Sequence, residues 1–212
     1  MYDYRTIKNI IFDLGGVLLN LDYSLTTKAF NAIAHGFGTF DATYTDQSEK
    51  QLFEDFEKGL LTAKQFRDRI RKLLLANVDD ETINTAWNAM LLDFPEERLS
   101  LLKKLRSNYR LYLLSNTNEI HIQAYTNILN STFGLANLSG IFEKEYYSYS
   151  IGMRKPDKEI FQYVLSENKL SPSNTLFIDD SIQHIAGANE LGIQTLFLDK
   201  GKNIVEELLV LT

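Results

Sequence analysis

The 212-residue sequence contains no cysteine. Disulfides, thiolate catalysis and thiolate metal sites are therefore excluded, and any bound metal must use oxygen or nitrogen ligands. A basic excess is missing too: 22 Lys and Arg stand against 28 Asp and Glu, for a formal net charge of -6. No nucleic acid or membrane partner is expected, because binding to phosphate backbones and anionic lipid rests on sustained Lys and Arg faces. A small anionic substrate stays compatible, since one or two cations and a metal decide its binding locally. The N-terminus offers no long apolar run. Met1 to Asn9 mix Tyr, Asp, Arg and Lys, and the apolar stretch that follows breaks at Asp13. That is neither a signal peptide nor a membrane span, and cytoplasmic residence is the expectation. Internal repeats and low-complexity tracts are absent as well.

What is present is an ordinary globular composition, 44% hydrophobic and 24% charged. From about residue 95 onward, helical and strand-like patterns alternate. Leu99, Leu102 and Leu105 recur at helical spacing before a strand-like run from Leu111 to Leu114. Ile160, Phe161, Val164 and Leu165 mark a second helix, followed by a strand over Thr175 to Ile178. Ile182, Ile185 and Ala186 begin a third helix, Thr195 to Leu198 reads as strand, and Val205 to Leu209 as a closing helix. Such alternation predicts an α/β fold with a parallel sheet covered on both faces. The first strand, Asn9 to Phe12, stands far away at the other end of the chain.

Residues 22–93 do not fit this alternation. Leu52, Phe53 and Phe56 suggest one helix. Phe66, Ile70, Leu73 and Leu74 suggest another, and Ile83, Ala86, Trp87, Met90 and Leu91 a third. The expected organisation is a split core, 1–19 and 95–212, with an all-helical insert over 20–94.

Four short segments carry chemistry. Asp13 ends an apolar strand and is followed by Leu14-Gly15-Gly16. Parallel sheets place ligands at such strand ends, and glycines let the backbone approach a bound group. Ser115 ends the second strand, and Asn116 with Glu119 reads as a capping box opening a helix whose free N–H groups suit an anion. Lys155 precedes Pro156, which suits a first helical turn and steers Lys155 into the loop before it. Asp179 and Asp180 are adjacent carboxylates at a strand end, where a cation relieves their repulsion; with oxygen ligands dominating, Mg²⁺ is the natural candidate.

The combination suits a phosphate monoester. A carboxylate attacks an anionic ester only once charge is neutralised, which Mg²⁺ on Asp13, the Gly15 carbonyl, Asp179 and Asp180 would do, with Lys155 balancing the remainder. Ser115 and nearby N–H groups, Asn116 included, would hold the phosphoryl oxygens. Asp13 would then form an aspartyl-phosphate that water hydrolyses.

These segments, and the helical insert after the first, resemble the haloacid dehalogenase (HAD) superfamily over nearly the whole chain. Asp-Leu-Gly-Gly-Val-Leu, Leu-Ser-Asn-Thr-Asn, Gly-Met-Arg-Lys-Pro and Asp-Asp-Ser followed by Gly187-Ala188-Asn189 are similar to sugar-phosphate phosphatases of the α-D-glucose-1-phosphatase type. The phosphatase domain of mammalian soluble epoxide hydrolase is a more distant likeness. The resemblance implies a Rossmann-like core with a mobile C1-type helical cap and a small phosphorylated substrate. It implies Asp13 as nucleophile, Ser115 and Lys155 as phosphate and intermediate stabilisers, and Asp179 and Asp180 as metal ligands, with Asp180 favoured for direct contact.

One departure matters. Most phosphatases of this superfamily carry a general-acid aspartate two residues after the nucleophile; here that position is Gly15. Either the leaving group departs without help, as an anomeric sugar-1-phosphate would allow, or Asp22, His121, Tyr23 or water supplies the proton. A metal-free haloacid dehalogenase and a catalytically weak sugar-phosphate-binding relative are the competing expectations.

Overall fold

The computed structural model describes residues 4–34 and 47–212. Residues 1–3 of the expected core and 35–46 of the expected insert lie outside the described residues. The core is a five-stranded, all-parallel sheet in the order β3-β2-β1-β4-β5. Its strands are β1 (Asn9–Phe12), β2 (Arg110–Ser115), β3 (Lys144–Tyr147), β4 (Thr175–Asp179) and β5 (Gln194–Phe197). The central strand β1 is buried at all four residues and pairs with β2 on one side and β4 on the other. A strand buried on both faces reads as a continuous apolar run, as Ile10-Ile11-Phe12 does.

Helices α5 (Glu96–Leu105), α6 (Glu119–Phe133), α7 (Ser148–Ile151), α8 (Lys158–Asn168), α9 (Ile182–Asn189) and α10 (Ile204–Glu207) connect or flank the strands. Each face of the sheet has its own apolar cluster. One joins Ile10, Phe12, Leu102, Leu113 and Leu129; the other joins Ile11, Leu114, Phe161, Val164 and Phe177. Neighbouring residues of β1 and β2 thus divide between opposite sides, as the strand period of two requires. The expected α/β class and parallel sheet are present.

Four earlier helices, α1 (Tyr23–Ile33), α2 (Gln47–Glu57), α3 (Ala63–Leu74) and α4 (Asp80–Asn88), build a separate apolar cluster. Its centre is aromatic. Trp87 stacks on Phe53 with centroids 5.0 Å apart, and Phe56 on Phe66 at 4.2 Å. The chain leaves the core and returns side by side, because Leu21 and Leu91 form an antiparallel bridge.

Several local expectations need correction. The edge strand β3 was not anticipated, since Lys144-Glu145-Tyr146-Tyr147 is mostly polar and only Tyr146 is buried. Helix α1 lies outside the expected helices, and Asp22 caps it by accepting from the Ser24 N–H. Leu73, expected on a packing face, is 36% exposed, whereas Ile182 begins α9 as expected. Met90 and Leu91 lie past the end of α4, and the closing helix is the short α10 followed by a 3-10 turn over Leu209–Leu211. Among the described residues, no helix is long and apolar enough to cross a membrane.

Candidate active site

Asp13, Ser115 and Asp179 stand at the carboxyl ends of β1, β2 and β4, where the strand order reverses direction. The backbone makes a tight loop after Asp13: Gly16 donates to the Leu19 carbonyl, and Leu18 and Leu19 donate to that of Leu14. The Gly15 carbonyl accepts none of these bonds. Gly16 takes φ +74, and a β-carbon there would fall 2.1 Å from Asp180 Oδ2. A side chain at 16 would therefore displace Asp180 as well as strain the backbone.

Lys155 joins these strand ends. Its side chain is 0% exposed, with Nζ 2.8 Å from Asp13 Oδ1 and 2.6 Å from Asp179 Oδ2. Burial works against the ammonium, but Asp13 and Asp179 hold its pKa above the ordinary lysine value. Asn116 fixes the lysine's main chain from both sides. Its Oδ1 accepts from the Lys155 N–H at 2.9 Å, and its Nδ2 donates to the Lys155 carbonyl at 2.8 Å.

That clamp corrects one expectation. The cap of α6 is Asn118, accepting from the His121 N–H at 3.0 Å, whereas Asn116 is drawn away to the lysine loop. The clamp occupies Oδ1 and one of the two Nδ2 hydrogens of Asn116. Pro156 likewise sits before α8 rather than in its first turn, after a cis Lys155–Pro156 bond, and Asp157 is the N-cap residue.

Asp13, Asp179 and Asp180 bring one oxygen each to within 4.8 Å of one another. Asp179 is the better satisfied of the pair. Burial raises its pKa, yet Lys155 and His184 together hold it below the usual carboxylate range. Its Oδ1 also accepts from the Ser181 N–H at 2.8 Å and lies 2.9 Å from His184 Nδ1. Burial, with Asp179 adding repulsion and Lys155 opposing, pushes Asp13 up to about 8. Asp180 is pushed up to about 6 by burial and Asp179. Three carboxylates compensated by one lysine form an oxygen-only donor set that fits a hard divalent cation such as Mg²⁺.

A cleft of about 390 Å³ opens onto this cluster, lined by Asp13, Gly15, Leu21, Tyr23, Glu57, Asn116, Arg154, Asp180, Ser181 and His184. Ser115 lines a smaller adjoining cavity, which shares Gly15, Tyr23 and Asn116 with the cleft. Four cleft residues escaped the sequence reading. His184 lies in the first turn of α9, five residues after Asp179. Arg154 adjoins Lys155 and pairs with Glu54 at 3.0 Å and Glu57 at 3.0 Å. Leu21 reaches over Gly15. Only the adjacency of Arg154 to Lys155, and of His184 to the Asp pair, left any signal in the sequence.

Of the residues named as proton sources, Asp22 spends an oxygen capping α1. His121 is driven down to about 3 by burial, and so is a neutral imidazole rather than an imidazolium acid at neutral pH. Tyr23 lines the cleft beside Asp13 and Asp180.

This fold and site define a hydrolase class, and comparison with known proteins agrees. Residues 7–192 match the haloacid dehalogenase-like hydrolase family, and the chain belongs to it. It is 32% identical to a D-ribitol-5-phosphate phosphatase of Bacteroides thetaiotaomicron, over 97% of this chain and 98% of that one. A HAD family enzyme from the same organism, solved as a magnesium complex, is similar at 38% identity and TM-score 0.86, covering 96% and 99% of the two chains. The L-2-haloacid dehalogenase of Xanthobacter autotrophicus shares the fold at 17% identity and TM-score 0.61, over 96% and 82%.

Proposed function

We propose that this chain is a Mg²⁺-dependent phosphatase of small sugar or alditol phosphates, working through an aspartyl-phosphate on Asp13. The observation that carries the reading is the buried bridge from Asp13 through Lys155 to Asp179, with Asp180 beside it. Asp13, Asp180 and the Gly15 carbonyl would hold the metal, which neutralises charge on the incoming ester. Asp180 is favoured over Asp179 for direct contact because Asp179 already serves Lys155, Ser181 and His184.

Lys155 keeps Asp13 aimed and balances the phosphoryl charge. Ser115 and the N–H groups after β2 hold phosphoryl oxygens. Asp13 attacks phosphorus, the alcohol departs, and water then cleaves the acyl phosphate to regenerate the carboxylate. Helices α1 to α4 act as a cap over the cleft, tied to the core by the Arg154 pairs. The dehalogenase reading is disfavoured because metal-free chemistry has no use for three converging carboxylates. Cytoplasmic residence belongs to the same proposal.

Gly15 favours an ester whose alcohol leaves unaided, such as a sugar-1-phosphate, whereas the alditol 5-phosphate in the name of the 32% identical relative favours a terminal ester. Rates on glucose-1-phosphate, glucose-6-phosphate and ribitol-5-phosphate decide between them. Turnover is expected to require Mg²⁺, to stop on chelation, and to vanish in Asp13→Asn. Full metal-dependent turnover by Asp13→Asn would overturn the mechanism.

A further inference from the structure

The smaller cavity, about 80 Å³, lies between the sheet's carboxyl edge and helix α4, lined in part by Gly15, Tyr23, Ser115, Trp87, His121 and Tyr125. Gly15 and Ser115 bring it up to the phosphoryl position, so it lies where a leaving group would extend. It is small beside the 390 Å³ cleft it adjoins, so it would take only part of a leaving group.

His121 is held in it on two sides. Its ring stacks on Trp87 with centroids 4.7 Å apart and planes 15° from parallel. Its Nδ1 lies 2.9 Å from Asn88 Oδ1. An amide oxygen only accepts, so Nδ1 carries the proton and Nε2 presents a lone pair. Among the described residues Nε2 has no protein partner. The low pKa of the ring agrees with this neutral form. The nearby Tyr125 hydroxyl is buried without a partner. The one carboxylate lining the cavity, Glu57, is already paired with Arg154.

We propose that His121 Nε2 accepts a hydrogen bond from a substrate hydroxyl, making this cavity a subsite for an uncharged, hydroxyl-bearing part of the leaving group. The assignment rests on the phosphatase reading and adds to it the residue that selects a polyol over other alcohols. A cationic or carboxylate-bearing leaving group finds no counter-charge here.

The test compares kcat/KM for ribitol-5-phosphate with that for p-nitrophenyl phosphate, which has no hydroxyl on its leaving group. His121→Phe keeps the stack on Trp87 but removes the acceptor; it should lower the ribitol-to-nitrophenyl ratio at least tenfold, through KM. His121→Gln restores an acceptor near the Nε2 position and should bring the ratio back to within a few-fold of wild type. An unchanged ratio in His121→Phe, or an equal fall in His121→Gln, overturns the assignment while leaving the phosphatase reading intact. Wild-type protein that hydrolyses neither ester with Mg²⁺ overturns both. Deoxy analogues of ribitol-5-phosphate test the subsite on wild-type protein, independent of how the variants fold. One position should raise KM at least tenfold, and uniform tolerance of all of them overturns the proposal.

Discussion

Leu21 Cδ1 lies 2.6 Å from where a β-carbon on Gly15 would sit. The position that usually carries a general acid in these enzymes is thus both vacated by one residue and covered by another. Introducing the acid alone, as Gly15→Asp, forces Leu21 aside and should cost about 1–3 kcal/mol of stability through overpacking. The double variant Gly15→Asp/Leu21→Ala relieves that contact. It should melt higher than the single variant and hydrolyse unactivated alkyl phosphates faster. A double variant no better than the single one in both assays would show that Leu21 is not the obstacle.

Lys155→Met leaves Asp13 and Asp179 buried without their shared cation. Removing one partner of a buried ion pair typically costs about 3–5 kcal/mol. Denaturant melts should show a loss of that order. Asp13→Asn added to Lys155→Met should recover part of it by removing one stranded charge.

Magnesium should stabilise the protein more at pH 8 than at pH 5. The folded-state pKa values of Asp13, about 8, and Asp180, about 6, lie above those of the unfolded chain. A carboxyl raised in this way contributes stability fully present below its unfolded pKa, near 4, and lost as pH rises through the folded value. The metal-free protein therefore loses this contribution between about pH 4 and 8. Binding of Mg²⁺ to the ionised carboxylates offsets that loss, with proton release on binding. Thermal melts with Mg²⁺ and with chelator across this range measure the difference. A metal-induced shift that shrinks as pH rises would contradict the assigned ligands.

Arg154 ties α2 to the lysine loop through Glu54 and Glu57. Burial raises the pKa of Glu57, with Arg154 opposing. Arg154→Ala should destabilise by about 1–3 kcal/mol and raise KM, and Glu57→Gln in that background should restore part of the stability by removing an unpaired carboxylate. If the two substitutions are simply additive, the pair does not join α2 to the loop.

Much of the fold was legible because its signals are local. Ile10-Ile11-Phe12 and Leu111 to Leu114 read as buried strands, and the spacing of Phe66, Ile70 and Leu74 as a helix face, from periodicity alone. β3 escaped because an edge strand needs few apolar residues, and Lys144 and Glu145 mask its pattern. The Asn116 cap was misread for a related reason. Asn116 and Asn118 offer the same chemistry two positions apart, and only the nearness of the Lys155 main chain, thirty-nine residues away, separates them.

Sequence by itself determined the sheet class, the separate helical segment and the order of Asp13, Ser115, Lys155 and the Asp179-Asp180 pair. These follow from side-chain type and from spacing within a few residues. Tertiary structure alone decided the rest: that Lys155 is buried between Asp13 and Asp179, that Leu21 covers Gly15, that Arg154 is held by α2, and that His121 is stacked and neutral. Apart from Leu21 and Gly15, which are close in the chain, each depends on residues far apart in the chain meeting at short range. Burial and Coulomb interaction at that range set their charge states, and no local pattern encodes them.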